Sequence, residues 1–426
     1  RSSLVGSEMC IRDRGTAPEM EELLEGAFGN QSIQATERNT VAGSTTSVIN
    51  VDAGEGVEYA RGQALLIKDA TNGYSVRNID SVATDALTMG FQVGTAPGTG
   101  VDLGRAVFYS PADSGHQAMS VWLYNGNSGQ ISMMAGGKVS EFSMTAEAGQ
   151  LINSSFTVEG LTHYFNPIEI TASDIYIDWT DDQGTAAATV TAKTYRDPHQ
   201  LADAIAAAMN AQTAETITVT YSDTDGKYTF AATGAVFSLL WQSGTNTANT
   251  IGDKIGFSVA ADDTGALTYE GDSAISLAAG FTTSFDSSDP LVAKNNEVLL
   301  GDADDTVCFK ADSISLTLSD TRRPIEDICA ETGRSGSIIN ERAAEFNLTA
   351  LLDQYEADKY RKFRSNANVK FAYTAGVKDS SSNWTPGTVV NMYTPTATIS
   401  DFNLTDDDGL VSLEMTLTTY VNSSGD

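Results

Sequence analysis

"VSEFSMTAEAG" (Val139–Gly149) and "ISDFNLTDDDG" (Ile399–Gly409) decide how this chain is read. They stand at a constant offset of 260 residues (399 − 139 = 409 − 149 = 260). Ser140, Phe142, Thr145 and Gly149 meet the identical Ser400, Phe402, Thr405 and Gly409, and Val139, Glu141 and Met144 meet the conservative Ile399, Asp401 and Leu404. Each segment alternates apolar and polar residues, the period of a strand, and then turns at an acidic stretch closed by glycine. Strand character resumes after the turn, in "LINSSFTV" and "LVSLEMTL". Ahead of the turn, "AMSVWLYNG" resembles "NVKFAYTAG". The repeat reads as strand, loop, strand, turn, strand, and the chain carries it twice.

A helix is expected before each copy. In "APEMEELLEGAFG", Pro18 suits a first helical position, acidic residues follow early and Gly29 stands beyond the end. Met20, Leu23, Leu24, Ala27 and Phe28 form its apolar stripe. In "LDQYEADKYRKFRS", Leu352, Tyr355, Tyr360 and Phe363 lie among charges, after a strand "RAAEFNLTALL". These signals delimit two homologous units, 15–165 and 294–426. Residues 41–110 read as a small β-barrel-like insertion in the first unit, with short strands between Asn-Gly and Asp turns. Residues 166–293 read as a separate α+β accessory domain. Its clear helix is "DPHQLADAIAAAMNAQ", with Asp197 as N-cap, Pro198 at N1 and Leu201, Ile205, Ala208 and Met209 on one face. "SFDSSDP" (Ser284–Pro290) is the expected linker out. The fold class expected is mainly β with minor α: two repeated β-sandwich units, the insertion and the accessory domain.

Residues 1–14, "RSSLVGSEMCIRDR", look foreign to this pattern and resemble translated sequencing-adapter read-through. They lack the apolar core of a signal peptide, so they are set aside as a non-native leader and the first unit is expected to be N-terminally truncated.

Composition narrows the function. The 426 residues carry 25 Lys plus Arg against 56 Asp plus Glu, a net charge of −31. Phosphates select basic surfaces, so tight binding of nucleic acid is disfavoured, while a wall meant to repel a polyanion is favoured. Hydrophobic residues at 41% are too many for a disordered chain. No run approaches the roughly 18 apolar residues of a membrane-spanning helix.

A search for chemistry finds turns. "SDTDG" (Ser222–Gly226), "DDQG" (181–184) and "DDTG" (262–265) are acidic, but none fits an EF-hand loop, and all read as hairpin turns rather than metal sites. Of the three histidines, His199 sits in the first turn of a helix, His116 in a Ser-Gly loop, and His163 beside Tyr164 and Phe165, which suggests packing. No nucleophile elbow or HExxH accompanies them. "GTAPGTGVDLG" (94–104) lacks the P-loop lysine and reads as a solvated loop. Cys308 and Cys329 read as buried free thiols, with a disulfide as the alternative. No catalytic residue, cofactor or metal is assigned. The one basic cluster, Lys359, Arg361, Lys362 and Arg364, reads as a solvated helix face or a subunit interface, and Arg322 and Arg323 as similar pairing cations.

With these residues in view, "GTAPEMEELLEGAFG", "GGKVSEFSMTAEAGQLINSSFTVEG" and "TPTATISDFNLTDDDGLVSLEMTL" resemble the tail tube proteins of long-tailed bacteriophages. The resemblance covers both units and lies in patterned strands and turns. The middle domain is similar to accessory domains of phage tail proteins. The resemblance implies a virion structural protein, assembled in the host cytoplasm, that is not an enzyme and polymerises into rings, three double-unit chains making a pseudo-hexamer. Stacked rings would form an acidic conduit through which genomic DNA slides without specific binding, with the middle domain outside. Implied partners are further copies of the chain and the tape-measure, tail terminator and baseplate proteins, with no membrane. The alternative is a phage or cell-surface binding or decoration protein whose middle domain takes glycan.

Overall fold

The computed structural model describes residues 3–5, 9–10, 18–69, 73–125, 130–275, 291–329, 333–351, 356–407 and 410–419. Leu352, Tyr355 and the linker 284–290 lie outside them, as does the side chain of Met20. The chain is mainly β, with three α-helices among the described residues. It divides into two compact units. One holds residues 1–119, 138–159 and 286–426, and the other holds 120–137 and 160–285.

The first unit is built on one long antiparallel sheet. Its strands are β1 (Gln130–Glu147, of which residues 138–147 lie in this unit), β2 (Asn153–Glu159), β3 (Glu297–Gly301), β4 (Ser313–Glu326), β5 (Arg334–Leu351), β6 (Asn368–Ala375), β7 (Val390–Asp407) and β8 (Leu410–Thr419). The order across it is β2, β1, β4, β5, β8, β7, β6, β3. Ser3–Val5 and Met9–Cys10, expected to stand outside the fold, add two short strands on the free flank of β2, with Leu4 opposite Val158 and Cys10 opposite Asn153.

The repeat has a structural counterpart. β1 and β7 are both 18 residues long and begin 260 apart (390 − 130). Each turns into a hairpin, with β2 and β8 respectively, and each hairpin breaks register at the same place, between Val139 and Glu141 in one and between Ile399 and Asp401 in the other. A bulge at matched positions in both copies is not a consequence of alternation alone, because any strand residue could host it. Helices cross both hairpins. The ring of Phe28, at the end of α1 (Pro18–Phe28), lies 5.8 Å from Phe142. In the other copy Tyr360 and Phe363 of α3 (Glu356–Ser365) lie 5.2 and 5.9 Å from Phe402. The two hairpins share one sheet. The sheet also turns back on itself: two strands, β8 and β7, lie between β5 and β6, yet the rings of Phe346 on β5 and Phe371 on β6 are 4.8 Å apart.

Six short strands between Arg38 and Gly104 form the insertion around Ile49, Leu65, Ile67, Ile79, Leu87 and Leu103, all essentially buried. A bond from the Val41 N–H to the Asn50 carbonyl joins the two outermost strands, as in a small barrel. The insertion docks on the second copy through Asp80–Lys370 (2.8 Å), Arg77–Glu297 (2.9 Å) and the apolar contact of Phe91 with Leu299 and Tyr393.

The second unit contains α2 (Pro198–Asn210) against short hairpins. The Asp197 side chain accepts from the Gln200 N–H, Pro198 opens the helix, and Leu201, Ile205 and Met209 are buried in its core. Capping, a fixed φ and one apolar stripe thus act at the positions the sequence indicates.

An acidic sheet face and an open edge

Six neighbouring strands of the first unit, β2, β1, β4, β5, β8 and β7, bury one face and leave the other polar. The buried face holds Phe142, Met144, Phe156, Leu316, Leu318, Phe346, Leu348, Met415 and Leu417. Register places the alternate residues together on the opposite face: Glu141 against Thr157 and Ser319, Ser143 against Ser155 and Thr317, Glu345 against Thr317 and Thr418, and Thr416 against Asp401. At these paired registers the face carries Glu, Asp, Asn, Ser and Thr, and the lysine at its margin, Lys138 opposite Glu159, donates to the His116 carbonyl. Glu141, Glu147, Glu159, Glu345, Asp401 and Glu414 make no ion pair among the described residues. The hydroxyls and amides are bonded to one another. Thr416 donates to Asn347 (2.8 Å), Asn347 to Glu345 (2.9 Å) and Asn403 to Asp401 (2.7 Å). Such a face has a negative field and few groups with which to hold a phosphate.

The second feature is an edge. Along one flank, β1 pairs with β4 over seven residues, Glu141–Glu147 with Ser319–Ser313. This is the joint between the first copy and the second. The matching stretch of the second copy, Asp401–Asp407 of β7, pairs with β8 on one side, but its pairing with β6 on the other ends at Thr398. Leu404 on this stretch is 57% exposed. Among the described residues no strand pairs with this stretch on that side, where the first copy has a strand partner, and the Phe402 N–H turns instead to the Asp401 side chain.

Charge fastens the internal joint. Buried Asp320 accepts from Arg342 Nε (2.7 Å) and Arg322 Nη2 (2.9 Å), and Arg322 Nε donates to the Val139 carbonyl at the bulge (3.2 Å). His116, also buried, sets its Nδ1 2.8 Å from the Gly26 carbonyl and its Nε2 2.9 Å from Arg342 Nη2, while Lys138 donates to the His116 carbonyl. Burial pulls the Arg322 guanidinium below its ordinary value, with Asp320 opposing the shift and Arg342 adding to it. Burial, and then Arg322, pull Lys138 down likewise. Gly29 is required here: its φ is +86°, and a Cβ would lie 2.7 Å from His116 Nε2.

The cations singled out in the sequence divide. Arg322 belongs to the buried joint. Lys359 is buried and bonds Asp305 (3.3 Å). Lys362 reaches Asp302 (2.8 Å), Asp305 and Asp358; burial opposes its charge, but these carboxylates outweigh burial and raise it above the usual lysine value. Arg361 and Arg364 stay on the surface, and Arg323 makes no ion pair among the described residues. Lys359 and Lys362 therefore seat α3 on the 302–305 loop of their own chain instead of facing solvent.

The acidic turns are engaged locally. Gly226 closes the hairpin of Ile217–Ser222 with Lys227–Ala232 at φ +69°, Asp225 accepts from Ser222 and Asp223 pairs with His199 (3.0 Å). Asp181 accepts from Trp179 Nε1, and Asp262 caps the Gln242 and Ser243 N–H groups. No group of three or more metal-ligating side chains occurs among the described residues. Two expectations are corrected. Cys308 and Cys329 are free but exposed, because neither lies on a core-facing strand position. His163 is exposed, on a short strand opposite Met134, instead of packed. No helix among the described residues is long and apolar enough to cross a membrane.

No protein-family model matches the chain, and no curated protein matches its sequence.

Proposed function

We propose that the chain is a structural subunit that assembles with its own copies into a hollow tube, as the phage tail tube proteins it resembles do. In this reading the acidic face lines the lumen as a conduit for DNA, and the place of work is the virion tail. The observation that carries it is the internal joint. The chain contains one worked example of a copy pairing with the next copy, β1 with β4, and among the described residues no strand pairs with the equivalent flank of β7. Repetition of that joint between chains extends the sheet, and the twist of the sheet supplies the curvature for closure. The lumen assignment rests on chemistry: a polyanion moves freely along a wall dominated by carboxylates and hydroxyls. Tape-measure, terminator and baseplate proteins are the partners this reading implies, and the middle domain lies outside the tube. No catalysis is part of it.

The test is Leu404→Lys, a charge set into the open edge, where lysine blocks strand addition. Sedimentation velocity of the purified chain should show large assemblies for the wild type and single chains for the variant, with melting temperature unchanged. Equal assembly by both would refute the role of this edge.

A further inference from the structure

Where the insertion docks on the second copy, the two enclose a small polar pocket of about 230 Å³. At roughly 30 Å³ per molecule, it has room for about eight waters. It falls short of the roughly 300 Å³ at which pockets for drug-sized ligands begin, so a fitting occupant has the bulk of a single sugar ring. The walls carry two cations, Arg77 and Lys378, and one carboxylate, Glu297. A cationic pocket runs against the net charge of −31.

Both cations are held in place. Arg77 stands on the insertion strand Gly73–Ala83, and its side chain is 8% exposed. Its Nε donates to the Gln92 carbonyl (2.9 Å), and its Nη1 donates to the Val76 carbonyl (2.6 Å) and to Glu297 Oε2 (2.9 Å). These bonds fix the guanidinium and leave its Nη2, like Glu297 Oε1, without a partner among the described residues. Lys359, Lys362 and Lys370 of the same unit all face carboxylates, but Lys378 makes no ion pair among the described residues. Its Nζ lies 4.1 Å from the centroid of the buried Trp384 ring, whose negative face attracts the ammonium. The loop between them is tied. The Asp379 N–H donates to the Asn383 carbonyl (2.9 Å), and the Asp379 side chain accepts from the Ser381 and Asn383 N–H groups. Groups set before a ligand arrives spare part of the ordering cost of binding.

The free N–H groups of Arg77 and Lys378 suit a carboxylate. The free oxygen of Glu297 suits a hydroxyl, as does the hydroxyl of Ser75, two residues before Arg77 on the same face of its strand. Glu297 also repels a second negative charge, which disfavours phosphate. We propose that this pocket binds a small hydroxylated carboxylate of the uronic acid type, with its carboxylate between Lys378 and Arg77 and its hydroxyls toward Glu297 and Ser75. The site lies within one chain, so it stands or falls independently of assembly.

The experiment titrates the full-length chain calorimetrically with glucuronate, glucose, acetate and inorganic phosphate. Only glucuronate offers both a single charge and a set of hydroxyls, so it should bind about ten-fold more tightly than each of the others, or better. Lys378→Met keeps an alkyl stem over Trp384 and removes the charge. It should melt as the wild type does and lose about ten-fold in affinity for glucuronate. A second readout needs no variant. Cys308 and Cys329 are both exposed free thiols, and Cys308 alone of the two lines the pocket. Glucuronate should slow alkylation of Cys308 by iodoacetamide several-fold and leave Cys329 unchanged, as read by mass spectrometry of the two peptides. Absence of binding heat with unchanged alkylation of Cys308 would overturn the site. So would any of the other three compounds binding as tightly as glucuronate, or a Lys378→Met chain that binds glucuronate as the wild type does.

Discussion

Asp320→Asn isolates the joint between the two copies. Asp320 is 3% exposed at its side chain and answers two cations that are themselves largely buried, Arg322 at 4% and Arg342 at 16%. Asparagine keeps the shape and one carbonyl oxygen but loses the charge and turns an N–H₂ toward one of the guanidinium groups. Breaking a buried pair by removing one partner costs about 3–5 kcal/mol, because the other charge stays buried without compensation. At about 2–4 °C per kcal/mol for a large domain, the first unit should melt about 6–20 °C lower. Glu326→Gln is the control. It breaks the exposed Glu326–Arg334 pair on the same hairpin, with side chains 69% and 49% exposed, and should change stability by under about 0.5 kcal/mol. Differential scanning calorimetry at neutral pH compares the two. Shifts of equal size would show that the cluster does not fasten the joint, and the argument from the internal joint to an external one would lose its energetic basis.

Phe142→Ala, which removes a ring packed 4.9 Å from Phe156 and 5.8 Å from Phe28, should cost about 3–5 kcal/mol in urea unfolding; a loss below 1 would mean the helix does not brace the hairpin. Lysines set on the acidic face, Thr317→Lys with Asn347→Lys, should make the protein retain double-stranded DNA at low salt where the wild type does not, and retention by the wild type would contradict a repelling wall. Tyr373, raised to about 12 by burial despite the hydrogen bond from Asn296, stays neutral when folded after the unfolded phenol has ionised near pH 10. The unfolded state then binds fewer protons, so this one phenol should lower stability by about 1.4 kcal/mol per pH unit from pH 10 to 12, and Tyr373→Phe should lessen the alkaline slope by that amount while Tyr59, Tyr228 and Tyr393, also raised by burial, keep the remainder. Replacing residues 168–285 by a flexible linker should leave assembly intact, and loss of assembly in electron micrographs would place the middle domain in the tube wall instead of outside it.

Much of the fold is legible in the residues because it is written in local periods. The strands flanking both acidic turns alternate with period two, and the turn of "SDTDG" announces itself by Asp and Gly. Helix α2 declares its cap, its proline and its stripe within a single window. The polar face was half legible. Alternation shows that Glu141, Ser143 and Thr145 share a face, but only register across β4, β5 and β8 shows which carboxylates, hydroxyls and amides meet there. Of the ion cluster only Arg322 was marked in the sequence, as a pairing cation. His116, Lys138 and Arg342 lie far from Asp320 and Arg322 and follow no period with them, and they meet because β1 runs beside β4. Lys359 and Lys362 misled for the same reason: the carboxylates that claim them, Asp302 and Asp305, stand more than fifty residues away (359 − 305 = 54).

The most direct measurement is an electron cryo-microscopy reconstruction of whatever the purified chain assembles into. The account requires a hollow cylinder whose wall is a continuous sheet, with Asp401–Asp407 of each chain hydrogen-bonded to a strand of its neighbour and the Glu141–Glu345–Glu414 face turned to the lumen. A reconstruction in which that flank faces solvent, or in which the acidic face lies outward, would contradict it.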